Sequence, residues 1–225
     1  VISRPVGLRS ILPLETCGSQ YLCYNHCMIF DGRAFAKDIE STLRLRLRSG
    51  VRAPKIVSIL VGDDPASVLY TRLKKAAAER VGIQFEVMQI VDDGSSIVER
   101  IDKLVSLSDY DGIMIQMPIP GLRRAETQEL VKLIPLSKDV DGLRWEESGV
   151  MPATVKAIIK ILETVDPWQK KFVVVGSRGS VGKPLVHFLR KRGVEQIIEV
   201  NSETKDLKAA VMGGEVVITC TGRAG

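Results

Sequence analysis

The sequence predicts an α/β fold with two domains, each built on a parallel sheet. From residue 32 onward, short apolar runs rich in β-branched residues alternate with segments of helical periodicity, which is typical of parallel sheets covered by helices. A glycine-rich turn, GSRGSVGK, follows one such run directly and precedes a helical pattern. We therefore predict an extension over residues 1–27, a first domain over 28–149 and a partial Rossmann-like domain over 150–225.

Composition excludes several classes of protein. The 225 residues are 45% hydrophobic and 26% charged, as in ordinary globular proteins. The apolar run over 56–61 is far shorter than the roughly 18 residues of a membrane span. The 32 basic and 27 acidic residues are mixed along the chain, without a basic tract. We expect no membrane or nucleic-acid partner, and an acidic small substrate fits the net charge of +5.

The first 27 residues lack a period, and Met28 resembles a natural start. We interpret them as a disordered extension, with a cytoplasmic location, although Arg4 and Arg9 leave an organellar transit peptide as the alternative. Three cysteines and a histidine cluster here: Cys17, Cys23, His26 and Cys27. Their spacing fits no usual zinc pattern, so we predict no metal site and no disulfide.

Helix and strand patterns alternate through the first domain. A helix with Phe35, Ile39 and Leu43 at four-residue steps precedes a strand over 55–62 and a helix over 63–83. Strands near 86–91 and 112–116 follow, with helices near 96–107 and 125–134. Ligands of such sheets bind beyond the carboxyl ends of the strands, where we expect Gln116 and the loop over 137–141.

The helix over 63–83 carries the first candidate for chemistry. Asp64 is a good N-cap, Pro65 suits the first helical position, and Gly82 is a good stop. Tyr70 and Lys74 are four residues apart and share one face. A lysine partly desolvated beside an aromatic ring can serve as proton donor and acceptor. Alternatively, this helical face is exposed to solvent and only the tyrosine ring packs against the protein. The KDVDG loop over 138–142 leaves a similar choice between a ligand site and a solvated turn.

The second domain has the layout of a dinucleotide-binding half. Strands are predicted over 172–175, 197–200 and 215–220, with helices over 152–163, 183–192 and near 205–211. Gly176, Gly179 and Gly182 permit close approach of a pyrophosphate to the start of a helix. Tight packing between strand and helix is the other reason for small residues at these positions.

In order along the chain, six segments strongly resemble the bifunctional methylenetetrahydrofolate dehydrogenase/methenyltetrahydrofolate cyclohydrolase family. They are VGDDPASVLYTRLKKAAAERVGI, DGIMIQMPIP, KDVDG, PATVKAI, VVVGSRGSVGKP and ITCTGRAG. The resemblance covers residues 28–225 and implies a folate site in the cleft between two α/β domains, with NADP in the second domain. It also implies a homodimer.

The resemblance assigns roles to individual residues. It implies that Lys74 is the catalytic lysine, that Tyr70 lines the substrate site, that Gln116 contacts the lysine and that Asp141 holds the pterin ring. The implied cofactor-binding residues are Gly176, Ser177, Arg178, Gly179, Ser180, Gly182, Ser202, Thr221 and Gly222.

Some positions depart from the family pattern. Ser177 stands where the family commonly has an arginine that pairs with the 2′-phosphate, and the arginine is displaced to Arg178. Glu203, beside Ser202, would favour the ribose hydroxyls of NAD. We expect NADP, with NAD possible.

PATV over 152–155 replaces the usual PCTP, and we interpret the stop at Gly225 as a C-terminal truncation. Two alternatives therefore stay open: a monofunctional NAD-dependent dehydrogenase, and a non-catalytic remnant that binds folate or a partner.

Overall fold

A computed structural model describes residues 21–24, 27–50, 52–91, 96–106 and 109–222. The chain divides into two compact units, one of Gly32–Val150 and one of Met151–Gly225 together with Val1–Asp31. Across these described ranges, no helix is both long and apolar enough to span a membrane.

A short hairpin precedes the first unit. Strand β1 (Tyr21–Tyr24) pairs antiparallel with β2 (Cys27–Phe30), and Tyr21 lies opposite Phe30. The structure differs here from the disordered extension expected over 1–27, because both tetrapeptides are rich in aromatic and aliphatic residues that favour strand pairing. Residues 1–20, 25 and 26 lie outside the described part, as do the cysteine and histidine side chains of the expected non-metal cluster.

The first unit alternates helices and strands in the predicted order. Its elements are α1 (Gly32–Arg48), β3 (Lys55–Val61), α2 (Pro65–Val81), β4 (Gln84–Ile90), α3 (Ile97–Ser106), β5 (Gly112–Ile115), α4 (Arg124–Val131), a 3₁₀ turn (Leu136–Lys138) and α5 (Trp145–Ser148). The strands form a parallel sheet in the order β4-β3-β5. The predicted parallel sheet is therefore confirmed, whereas the 3₁₀ turn and α5 were not predicted.

One face of this sheet supplies the core of the first unit. Alternate residues of β3, namely Val57, Ile59 and Val61, are at most 3% exposed and pack with buried residues of β4, α3 and β5. Because side chains alternate across a strand, Ser58 and Leu60 point to the opposite face. Both are also buried, so the sheet is covered on its two sides, as parallel sheets usually are.

The second unit is a smaller sheet of the same kind. Its elements are α6 (Ala153–Glu163), β6 (Phe172–Val175), α7 (Gly182–Lys191), β7 (Ile197–Val200), α8 (Leu207–Met212) and β8 (Val216–Thr219). The strand order is β7-β6-β8, all parallel. Phe172 and Val173 are fully buried in the central strand, as are Leu185 and Leu189 of α7. The glycine-rich turn therefore begins at the carboxyl end of the central strand.

Candidate active site and cofactor loop

The helix that carries Tyr70 and Lys74 has the predicted ends. The Asp64 carboxylate accepts a hydrogen bond from the Ser67 amide at 2.8 Å, and Pro65 is the first residue of α2. That hydrogen bond is the main cause of the lowered pKa of Asp64. Gly82 ends the helix at φ +93°, a left-handed conformation that glycine adopts without strain. These two ends fix which side chains of α2 face the sheet.

Lys74 lies next to Asp141 and Met114. Its ammonium nitrogen is 3.3 Å from Oδ2 of Asp141 and 3.8 Å from Sδ of Met114. The side chains of Lys74 and Asp141 are 33% and 18% exposed, so the ion pair is only partly solvated. Helix α2, strand β5 and the KDVDG loop thus meet at one cluster of polar atoms. The structure brings together two of the four residues implied for the substrate site.

Gln116 lies immediately beyond β5, where the sequence predicts it. Its backbone amide donates to the carbonyl of Ile59 at 2.8 Å, which ties it to the neighbouring strand β3. The side-chain amide donates to the Met117 carbonyl at 2.9 Å. Its Oε1 is buried and has no hydrogen-bond partner, so the implied contact with Lys74 is replaced here by the Lys74–Asp141 pair. A buried acceptor without a partner costs about 1–3 kcal/mol, and a bound donor would recover that energy.

Tyr70 differs from the other three residues in its exposure. It lies one turn before Lys74 on α2, and 60% of its surface is accessible. The shared helical face is confirmed, but the phenol is not packed into the sheet. At this exposure its ring can cover a bound aromatic molecule.

Asp139 is a residue of this site that sequence reasoning did not assign. Its carboxylate is 2% exposed and accepts from the amides of Leu143 and Arg144, both at 3.0 Å, and from the Ser148 hydroxyl at 2.9 Å. Its backbone also pairs with Ile113 of β5. These bonds fix the loop that carries Asp141 against the sheet. The sequence offers no capping signal for this role, because α5 begins at Trp145, six residues after Asp139, whereas an N-cap carboxylate directly precedes its helix.

The glycine-rich turn of the second unit is so tight that its first and last glycines are in close contact. A Cβ atom on Gly182 would lie 2.1 Å from the Gly176 carbonyl oxygen, which no other residue type tolerates. A Cβ on Gly176 would lie 3.1 Å from the Cys220 carbonyl, so the turn also abuts the end of β8. Thr221 and Gly222 follow directly and are exposed. The expected cofactor residues of the two segments are therefore neighbours at one edge of the sheet.

The polar groups of this turn fit a dinucleotide. The Gly176 and Ser177 amides donate to the Val200 carbonyl, and the Gly179 amide donates to Gly176. The amides of Arg178, Ser180 and Val181 donate to no backbone carbonyl of the described residues. Ser177 Oγ is buried without a partner. Unpaired amides where α7 begins, together with an unpaired hydroxyl, suit the oxygens of a pyrophosphate.

Arg178 and Glu203 form an ion pair across two loops. The guanidinium Nη1 is 2.5 Å from Oε1 of Glu203, and Ser202 lies exposed beside it. The Arg178 guanidinium lowers the pKa of the Glu203 carboxyl, chiefly through this hydrogen bond. From the sequence, Arg178 indicates NADP and Glu203 indicates NAD. In the structure these two residues are direct partners.

Comparison with known proteins identifies both units. The catalytic domain of the tetrahydrofolate dehydrogenase/cyclohydrolase family matches residues 30–141, and its NAD(P)-binding domain matches residues 152–225. Bifunctional protein FolD of Heliobacterium modesticaldum is 33% identical over 210 residues, which cover 87% of this chain and 72% of the relative. The same protein of Methanosarcina acetivorans is 34% identical over 212 residues, covering 86% and 72%.

Solved structures agree with these matches. A 5,10-methylenetetrahydrofolate dehydrogenase of the silkworm Bombyx mori aligns with a TM-score of 0.76 and 29% identity, over 85% of this chain and 74% of that one. The methylenetetrahydrofolate dehydrogenase-cyclohydrolase of Trypanosoma brucei, complexed with NADP and an inhibitor, aligns with a TM-score of 0.76 and 25% identity, over 88% and 72%. The resemblance seen in the sequence is confirmed: the chain belongs to the tetrahydrofolate dehydrogenase/cyclohydrolase family.

Proposed function

We propose that this chain oxidises methylenetetrahydrofolate with NADP and hydrolyses the methenyl product to formyltetrahydrofolate. The observation that carries the proposal is the partly buried Lys74–Asp141 pair, 3.3 Å apart, at the sheet edge that also holds Gln116. An enzyme that only transferred hydride would need orienting groups alone, whereas hydrolysis needs a group that moves protons.

The hydrolytic step gives Lys74 its role. Water adds to the cationic methenyl carbon and loses a proton, and the departing nitrogen gains a proton as its bond to that carbon breaks. A single lysine side chain can serve both transfers, because its amine form accepts a proton and its ammonium form donates one. The second proton of the added water passes to solvent, which completes the formyl group. Asp141, at 3.3 Å, holds the lysine side chain in place and offers a carboxylate to the N–H groups of the pterin ring.

Gln116 supports this step as a fixed acceptor. Its Nε2 is already held by the Met117 carbonyl at 2.9 Å, so the orientation of the amide is set before substrate arrives. The unpaired Oε1 then accepts from Lys74 or from the substrate. Tyr70, exposed on the same helix as Lys74, supplies an aromatic surface for the flat rings of a folate.

The second unit binds the cofactor. When bound, NADP takes the hydride from the methylene carbon of the substrate. The turn from Gly176 to Gly182 holds the pyrophosphate at the start of α7, and Ser177 Oγ gains a hydrogen bond there. Arg178 and Ser202 face the 2′-phosphate, while Ser180, Thr221 and Gly222 complete the rim of the site.

Replacing Lys74 by methionine tests the proposal. Loss of the proton-transferring group should lower the cyclohydrolase rate by about 10²-fold or more, measured as the disappearance of methenyltetrahydrofolate. Lys75→Met is the matched control, because Lys75 neighbours Lys74 on α2 and its ion pair with Glu79 is long, at 4.0 Å. A cyclohydrolase rate that stays within twofold in Lys74→Met would show that this lysine is not the acid/base.

A homodimer and a cytoplasmic location complete the proposal. The homodimer rests on the family resemblance alone, and the location rests on the interpretation of residues 1–27. Sedimentation of the purified chain at several concentrations distinguishes a dimer from a monomer.

A further inference from the structure

The Arg178–Glu203 pair joins the loops that follow two adjacent strands. Arg178 lies in the turn after β6, and Glu203 lies in the turn after β7, the strand paired with β6. The two side chains are 63% and 70% exposed and meet at 2.5 Å. Other ion pairs of this chain are as exposed as this one, but this pair lies at the carboxyl edge of the sheet, where nucleotide ligands bind.

Hydrogen bonds donated by backbone amides order the two turns before any ligand binds. The Ser177 amide, next to Arg178, donates to the Val200 carbonyl at 3.0 Å. The Glu203 amide donates to Oδ1 of Asn201 at 2.9 Å, and the Asn201 amide donates to the Thr204 hydroxyl at 3.0 Å. The turn after β7 is thus built so that the carboxylate of Glu203 faces the guanidinium.

The two groups favour different nucleotides. In Rossmann-like domains an acidic side chain after the second strand accepts from the ribose 2′-hydroxyl of NAD, whereas an arginine nearby accommodates the 2′-phosphate of NADP. Here both are present and each neutralises the other. A 2′-phosphate brings about 1.5–2 negative charges, so it must take Arg178 from Glu203 and then lie beside a carboxylate.

We propose that Glu203 is a specificity-determining residue that competes with the 2′-phosphate of NADP for Arg178 and thereby narrows the preference for NADP over NAD. The inference rests on the proposed function, because it concerns the same cofactor site. A glutamate is charged at neutral pH even with its ordinary pKa, and Arg178 lowers the pKa of Glu203 further, so the competition operates under ordinary conditions. NAD does not compete for Arg178, since its 2′-hydroxyl is neutral and donates a hydrogen bond to the Glu203 carboxylate.

The exposure of the pair sets the size of the effect. Breaking a solvated ion pair accounts for roughly two- to fivefold in affinity, and removing the repulsion between phosphate and carboxylate adds to this. We therefore expect Glu203→Gln to bind NADP about tenfold more tightly than the unchanged chain. Affinity for NAD should fall by roughly twofold, because the amide is a weaker acceptor than the carboxylate.

Titration of the purified chain with nucleotides, followed by calorimetry, tests the proposal without turnover. NADP and NAD are compared with 2′,5′-ADP and 5′-AMP, which differ only in the 2′-phosphate. Glu203→Gln should gain affinity for NADP and 2′,5′-ADP but not for 5′-AMP, and adding Arg178→Gln should abolish the gain. Glu195→Gln is the control, since Glu195 is an exposed glutamate of the same unit at the amino end of β7, away from the carboxyl edge.

Three results would contradict the inference. Affinity for 2′,5′-ADP that changes less than twofold in Glu203→Gln, or an equal gain in Glu195→Gln, would show that Glu203 does not compete for the phosphate. If no variant binds NADP, the proposed function fails as well. Normal nucleotide binding without dehydrogenase turnover would contradict the proposed function alone and leave the competition supported. Circular dichroism of each variant confirms folding, which these exposed side chains should not disturb.

Discussion

Removing the carboxylate of Asp139 should loosen the loop that carries Asp141. Asp139 is 2% exposed, and its two oxygens accept three hydrogen bonds at 2.9–3.0 Å from Leu143, Arg144 and Ser148. In Asp139→Ala two backbone amides and one hydroxyl lose their acceptor at once. Because these donors hold α5 against the loop, the change should propagate to the position of Asp141, two residues away.

The magnitude follows from the number of bonds. Each hydrogen bond to a charged group contributes about 1.5–3 kcal/mol, and part of the loss is recovered where water reaches the freed donors. We expect Asp139→Ala to lower the free energy of unfolding by about 3–5 kcal/mol. Asp139→Asn keeps one oxygen acceptor and the side-chain volume, so it should lose about half as much. For substrate, the KM should rise more than kcat falls, since the proposed function has Asp141 bind the ring and not move protons.

Tryptophan fluorescence during urea unfolding measures this effect in the right unit. The sequence has two tryptophans: Trp145 begins α5, and Trp168 lies in the other unit. In a Trp168→Phe background the signal therefore comes from α5, whose Ser148 hydroxyl donates to Asp139. Asp102→Ala, an exposed change on α3, is the control for losing a carboxylate in the same unit. A change below about 1 kcal/mol in Asp139→Ala would refute the reasoning, because one lost bond alone should exceed it.

Two further predictions concern other parts of the fold. Burial, and then the hydrogen bond to Glu86, raises the pKa of Tyr110 to about 12. The folded chain thus keeps a proton that the unfolded chain loses above about pH 10, and the free energy of unfolding should fall by up to about 2.7 kcal/mol between pH 10 and 12. Tyr110→Phe should lack this fall in urea titrations, and an unchanged fall would contradict the assignment. Gly182→Ala should weaken NADP binding at least about tenfold, because its Cβ would lie 2.1 Å from the Gly176 carbonyl oxygen; Gly32→Ala, whose Cβ meets no atom within 4 Å, is the control, and equal binding by both variants would contradict the prediction.

The sequence predicts elements whose cause is local. The Asp64 cap, Pro65 and the Gly82 stop lie within one segment, and the structure has α2 at Pro65–Val81. The parallel character of both sheets follows from the alternation of helices and strands. Periodicity could not predict α5, because four residues are too few to show a helical period. Ser148 of that helix donates to the Asp139 carboxylate, and the backbone of Asp139 pairs with Ile113 on a different element.

The site shows the same division between local and distant causes. Helical spacing places Tyr70 beside Lys74, since neighbours on a helix are four residues apart. It says nothing about which residue meets the ammonium from across the fold. The resemblance pointed to Gln116, whereas the structure pairs Lys74 with Asp141, 67 positions along the chain. Contacts of this separation are set by how α2 and the KDVDG loop pack on β5, which no single segment encodes.

The choice between NAD and NADP shows that a contact between distant residues can change what each residue indicates. Taken alone, Glu203 indicates NAD and Arg178 indicates NADP, and the sequence offers no way to weigh one against the other. Because the two side chains are in contact at 2.5 Å, their effects on cofactor choice cannot be considered separately. The affinity for a 2′-phosphate includes the free energy of separating the pair. An acidic residue after the second strand therefore indicates NAD only where no cation already neutralises it. In this chain the same carboxylate sets how strongly NADP is preferred.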